Sequence, residues 1–183
     1  MASPGFGLPG SAFFEWDGRR LTQIPGIPNS AGDASFFGNM LVLPTGQILL
    51  TDFSNDIEIF NPSPRREDDD VPSGKPVVAF SRNVLNRGGS YQIFGFRFNG
   101  LSQGAAYGDD VQGATNYPLV RITNLQTGHV FYSRTHDHSS MAVASDNLVS
   151  THYDVPANQE AGRSKLEVVV NGIASAPVFV SVR

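Results

Sequence analysis

Residues 117–138 read YPLVRITNLQTGHVFYSRTHDH. Two runs that suit extended backbone, Tyr117 to Asn124 and His129 to Arg134, flank a turn at Gln126-Thr127-Gly128, which is the pattern of a β-hairpin. The second run ends on Thr135-His136-Asp137-His138, so the hairpin presents a histidine loop. The wider segment from Asn99 to Met141 holds three of the four histidines and the densest set of ionisable residues that strand pairing leaves unexplained.

Outward from this hairpin the same grammar continues. Val77 to Phe80, Ser90 to Phe98, Met141 to Ala144, Val149 to Asp154, Leu166 to Asn171 and Val178 to Val182 are further short strand candidates, several of them separated by turn residues at Gly88-Gly89, Asn99-Gly100 and Asn171-Gly172. About a hundred residues of this kind predict an all-β fold, an immunoglobulin-like β-sandwich over residues 77–183. Within one strand, Tyr91, Ile93, Gly95 and Arg97 alternate with Gln92, Phe94, Phe96 and Phe98, which predicts a Phe-rich core face.

The first third is also strand-like. Phe13 to Trp16 stops at Asp17-Gly18 and resumes at Leu21 to Ile24, the pattern of a small hairpin. Asn39 to Pro44 and Gln47 to Asp52 then meet across Pro44-Thr45-Gly46, and Asp56 to Phe60 follows. Residues 12–61 are expected to form one antiparallel meander whose central strands, apolar without clean alternation, need cover on both faces. Residues 1–11 read as a disordered leader. Residues 62–76, with four prolines and the acidic run Glu67 to Asp70, read as an exposed linker; the run lacks the spaced ligands and turn glycine of a calcium loop.

Composition excludes several function classes. With 183 residues, 40% hydrophobic and 16% charged, the chain can bury a core, and a net charge of −4 provides no basic field to collect phosphates, so nucleic acid is not an expected partner. No apolar run approaches the ~20 residues that cross a bilayer. The opening MASPGFGLPG lacks the basic and apolar regions of a signal peptide, and nothing fixes the compartment. The absence of cysteine removes disulfides, thiolate metal sites and thiol catalysis together.

Candidate site residues concentrate in two places. In extended backbone His136 and His138 project to one face, where they could chelate copper or zinc, while Asp137 points away. The segment from Asn99 to Asn116 is long for a connection and reads as a binding loop, with Tyr107, Asp109, Asp110 and Asn116, together with Asp137, as its polar groups. No catalytic residue is singled out. Ser139 and Ser140 adjoin His138 without a nucleophile elbow, Tyr107-Gly108-Asp109-Asp110 copies a polymerase signature in a chain too short and acidic for one, and no carboxylate pair among Glu15, Asp17, Asp52, Asp56 and Glu58 is selected by spacing.

The strings LVLPTGQILLTD in the first part, with NYPLVRIT, RTHDHSSMAV, His152-Tyr153-Asp154-Val155-Pro156 and LEVVVNGIASAPVFVSV in the second, resemble the C-terminal end of galactose-oxidase-like Kelch proteins, over nearly everything from Phe13 to Arg183. That resemblance implies a last β-propeller blade followed by an early-set immunoglobulin-like domain. In the copper-radical oxidases of the superfamily a Thr-His motif supplies one copper ligand, which here matches Thr135-His136. The other ligands, two tyrosines and a second histidine, come from blades this chain does not contain, and the thioether-linked tyrosine needs a cysteine. The resemblance therefore implies a non-catalytic interaction module that associates with carbohydrate or a cell or protein surface, and parents of this type are often secreted. The competing class is an enzyme: a copper oxidase piece contributing His136, or a hydrolase acting on glycans or esters through the His136/His138 loop. A lone blade leaves apolar faces in water, so homo-oligomerisation through the blade-like segment is expected.

Overall fold

The computed structural model describes residues 9–52, 54–63, 74–103 and 114–183. Nearly all regular structure in them is β-strand, and no helix is long and apolar enough to cross a membrane. The described residues up to 63 form one compact unit, and 74–103 with 114–183 form a second.

In the first unit β1 (Phe13–Trp16) and β2 (Leu21–Ile24) pair as a hairpin, closed by the Asp17 carboxylate, which accepts the backbone N–H groups of Arg19 and Arg20 at 2.8 and 2.7 Å. After a single 3-10 turn, β3 (Asn39–Val42), β4 (Ile48–Thr51) and β5 (Glu58–Phe60) form a separate three-stranded antiparallel sheet. The five strands thus make two sheets and not one continuous meander. The long connection through Pro25, Pro28 and the 3-10 turn at Ser35–Phe37 keeps β2 from pairing with β3.

The second unit is a β-sandwich. Its larger sheet runs β10 (Val130–Ser133), β9 (Leu119–Asn124), β13 (Gly162–Val170), β15 (Val178–Val182) and β7 (Val84–Leu85), with β14 (Ile173–Ala174) beside β13. Its smaller sheet runs β11 (Thr135–His136), β12 (Val149–Asp154), β8 (Ser90–Phe96) and β6 (Val77–Phe80). Strands β6, β8, β12 and β11 take the A, B, E and D places of an immunoglobulin-like domain, and β9, β13 and β15 the C, F and G places. Among the described strands, only β7 and β15 pair in parallel.

Alternation decides which residues meet between the sheets. Val120 and Ile122 of β9, Leu166 and Val168 of β13, and Val180 and Val182 of β15 face Ile93 of β8 and Val149 and Tyr153 of β12, with Leu85, Phe98 and Val155 completing one core. The 117–138 hairpin forms as its sequence suggests. Asn124 Oδ1 accepts from the N–H of Gln126 and Thr127, and Gly128 takes the left-handed conformation the turn needs.

Two expectations fail here. Met141–Ala144 is not a strand: Ala144 is left-handed (φ 52°) and its N–H bonds Gly100 instead of a ladder neighbour. In β8 the core face is Tyr91, Ile93 and Gly95, whereas Phe94 lies on the other face against Phe80. Phe98 reaches the core because Arg97, at φ 57°, reverses the alternation. Gly95 permits the arrangement, since a Cβ there would stand 2.0 Å from the Val77 carbonyl oxygen and 2.5 Å from the Phe98 ring.

Candidate functional site

Strand β11 is two residues long, pairing Thr135 with Tyr153 and His136 with His152. It ends there because Asp137 takes a left-handed conformation (φ 50°) and turns the chain out of the ladder. Beyond β12 the register sets His152 opposite Gln92 and Asp154 opposite Ser90. His136, His152, Asp154 and Ser90 are thereby gathered at one end of the smaller sheet.

His136 sits between two carboxylates. Its Nδ1 lies 2.9 Å from Asp137 Oδ2 and its Nε2 lies 3.1 Å from Asp154 Oδ1, with Ser90 Oγ at 3.4 Å. The His152 ring stacks on it at 5.6 Å. The hydrogen bonds to Asp137 and then Asp154 raise the His136 pKa, favouring the imidazolium, which donates from both nitrogens. Asp154 is held below the usual carboxylate range by Ser90 and then by His136.

His138 has other partners. Its Nδ1 is 2.9 Å from Thr151 Oγ1, and its ring meets Tyr117 edge-on at 4.7 Å. Burial, then repulsion from His136, lowers its pKa, so it stays neutral more readily than a free imidazole. Thr151 and His152 are neighbours on β12 and face opposite sides of the sheet, so the two histidines are held on different sides of that strand. The expected shared face is lost, and with it the outward-pointing Asp137: the left-handed residue between the histidines breaks the period of two and folds its carboxylate onto His136.

These contacts decide what the cluster can do. A general base needs a free lone pair toward its nucleophile, and both His136 nitrogens are engaged by carboxylates. Ser139 and Ser140 serve the backbone, accepting from the N–H groups of Ser150 and Ala142. The copper site that the resemblance implies does not fit His136, for the same reason and because no group of three or more metal-binding side chains converges among the described residues.

The loop prediction divides. Tyr107, Asp109 and Asp110 lie outside the described residues. Asn116 is buried, and its carbonyl accepts from Asn99 Nδ2 at 3.0 Å, so it anchors the loop and does not present a side chain. Thr115 Oγ1 donates to Asn171 Oδ1, and Asn171 Nδ2 donates to Ser102, which pins both ends of the loop on the β13–β14 turn. Sequence reasoning missed Asp154, Ser90 and Thr151 as partners of the histidines. The spacing of His152 and Asp154 signals a shared face, but only the register of β12 against β8 and β11 brings them to His136.

No protein-family model matches the chain, and no curated protein matches it. Among solved structures, the crystal structure of the Lin-41 filamin domain is similar over 59% of this chain and 91% of that one, at 14% identity and a TM-score of 0.32.

Proposed function

We propose that this chain is a non-catalytic binding module, organised like the C-terminal end of a galactose-oxidase-like Kelch protein, and that its sandwich binds carbohydrate on the outer face of the larger sheet. The order of elements, a small antiparallel sheet followed by an immunoglobulin-like sandwich, supports the first part. The observation that carries the second is a set of outward rungs fixed by register. Val130, Thr123, Lys165 and Phe179 form one rung, and Tyr132, Arg121 and Glu167 the next. Phe179 is 64% exposed and Tyr132 37%, and between them stand two cations against one carboxylate, with Arg121 Nη2 3.0 Å and Lys165 Nζ 3.6 Å from Glu167 Oε2.

Three strand spacings separate Val130 from Phe179, about 14 Å, wide enough for more than one sugar ring. Aromatic faces at the edges cover the apolar side of a sugar, and the central cations suit its carboxylate or sulfate groups. A glycan-array screen tests the reading. Binding to acidic oligosaccharides that weakens about tenfold in Phe179→Ala or Tyr132→Ala, roughly 1.4 kcal/mol, supports it. Silence across the array, or turnover of a glycan or ester that disappears in His136→Ala, would overturn it.

The first unit supports a second element of the proposal, pairing with another copy. Leu41, Leu49 and Ile59 form a rung on one side of the three-stranded sheet, with Leu41 and Ile59 exposed. A symmetric pair burying this rung gives twice the 19.7 kDa mass in light scattering, reverting to one copy in Ile59→Lys; a monomer at all concentrations excludes it.

A further inference from the structure

The other side of the same three-stranded sheet borders a cavity. Register places Met40, Leu50 and Glu58 in one rung and Val42, Ile48 and Phe60 in the next, both pointing to the same side. That side and the β1–β2 hairpin enclose a cleft of about 550 Å³, a size that suits a small organic molecule. Its walls are mostly apolar and aromatic, with Phe13, Trp16, Ile48, Leu50 and Phe60 prominent.

The charge in the cleft has one sign. Among the described residues, the lining side chains that ionise are Glu15 and Glu58, and no Lys, Arg or His lines it. Glu15 is already satisfied: Ser63 donates its backbone N–H to Oε1 at 2.8 Å and its hydroxyl to Oε2 at 2.9 Å. Glu58 is different. Its Oε2 is shut off from water and has no hydrogen-bond partner among the described residues. A buried carboxylate oxygen without a donor is an uncommon feature that calls for a missing group. Burial, followed by repulsion from Asp52 and Asp56, raises the Glu58 pKa, and a cation placed beside it would favour the charged form.

We propose that this cleft binds a small organic cation with a flat apolar body, an aryl amidinium or aryl-alkyl ammonium, whose charged end donates to Glu58 while its ring lies among Phe13, Trp16 and Phe60. Three features converge on that chemistry. The apolar walls select a hydrophobic body, the unsatisfied Oε2 selects a donor, and the absence of a lining Lys, Arg or His among the described residues selects a positive one. Trp16 adds an indole face, 60% exposed, to which a cation is attracted. A neutral ligand of the same shape gains the walls alone. The site lies in a different unit from the proposed glycan face and does not depend on it.

The chain carries a single tryptophan, so Trp16 fluorescence reports on the cleft directly. Benzamidinium is titrated into the full chain beside the isosteric neutral benzamide. The expected result is a saturable change with benzamidinium and at least about tenfold weaker binding of benzamide. Glu58→Gln should abolish this preference, whereas Glu15→Gln should leave it. In the unaltered protein, benzamidinium affinity should fall as the pH is lowered through the Glu58 titration, with benzamide unaffected; this arm stands even if Glu58→Gln fails to fold. Equal affinity for the two probes would overturn the proposal, as would no saturable change with either. A response that tracks protein concentration, with light scattering showing that a second copy fills the cleft, would also overturn it.

Discussion

The two units use similar strands to different ends. In the sandwich every inward row has an opposing sheet to meet, and Val120, Ile122, Leu166 and Val168 are removed from water between the two layers. In the first unit, among the described residues, the buried apolar side chains are Phe13, Ala34 and Leu50, while Trp16, Leu21, Leu41, Ile57 and Ile59 remain exposed. The charges follow the same division. His136 is shared by two carboxylates and Glu167 by two cations, whereas Glu58 keeps an unpartnered oxygen. The sandwich thus has a filled core with paired charges, and the first unit an open cleft bordered by a carboxylate oxygen that has no partner among the described residues.

Truncating one core leucine in each unit puts that contrast at risk. Leu166→Ala opens a cavity between two fixed sheets and should cost about 4 kcal/mol, whereas Leu50→Ala borders a cleft that already exists and should cost about 2 kcal/mol. Amide hydrogen exchange measures the two separately, at Ile122 and Val168 for the first and at Leu49 for the second. Equal losses of protection would mean that the first unit is packed as tightly as the sandwich, and the cleft would lose its standing as a designed space.

A smaller effect is expected from adding an atom. In Gly95→Ala the new methyl meets the Val77 carbonyl oxygen and the Phe98 ring, so the bulged pairing of β6 with β8 must shift, at about 1–3 kcal/mol. The same substitution at Gly128, where nothing lies within 4 Å, meets no steric obstacle and carries only the cost of its left-handed backbone. Thermal unfolding of the pair separates crowding from backbone strain. A Gly95→Ala protein as stable as Gly128→Ala would remove the claim that β6 and Phe98 close on the glycine.

Much of this was legible in the chain. Val149–Asp154 and Val178–Val182 alternate cleanly, so their bounds and their core faces follow from a period of two. The 117–138 hairpin is marked by Asn124 and Gly128, whose chemistry is local. What sequence could not supply was non-local or hinged on a single backbone angle. A left-handed Arg97 turns Phe98 inward and leaves Phe94 on the outer face. A left-handed Asp137 separates two histidines that spacing alone puts together. The partners of His136 come from β8 and β12, strands 46 and 18 residues away in the chain. Glu58 looked like one of five interchangeable carboxylates until its rung with Met40 and Leu50 placed it in the cleft.

The mildest prediction reads the electrostatic half of the comparison in one titration. Asp154 is held low, so the stability it contributes is present above the ordinary carboxylate pKa and is lost as the pH falls through its depressed value. His136 is held high by Asp137 and Asp154, so its contribution is complete below about pH 6.5 and is lost as the pH rises through its raised value. Between those limits the sandwich cluster is fully charged and fully paired. Glu58 moves the other way from Asp154: raised by burial and by neighbouring acids, it favours the fold while protonated and weighs against it once the pH exceeds its raised value. NMR titration of the side-chain carboxyl and imidazole resonances should therefore find Asp154 below and Glu58 above the usual carboxylate range, and His136 above His138. Asp137→Asn and Asp154→Asn should each lower the His136 value, because both carboxylates hydrogen-bond the imidazole and favour its charged form. If Asp154 and Glu58 titrate together, the sandwich and the first unit treat their carboxylates alike, and the unpaired oxygen in the cleft loses its meaning as a binding signal.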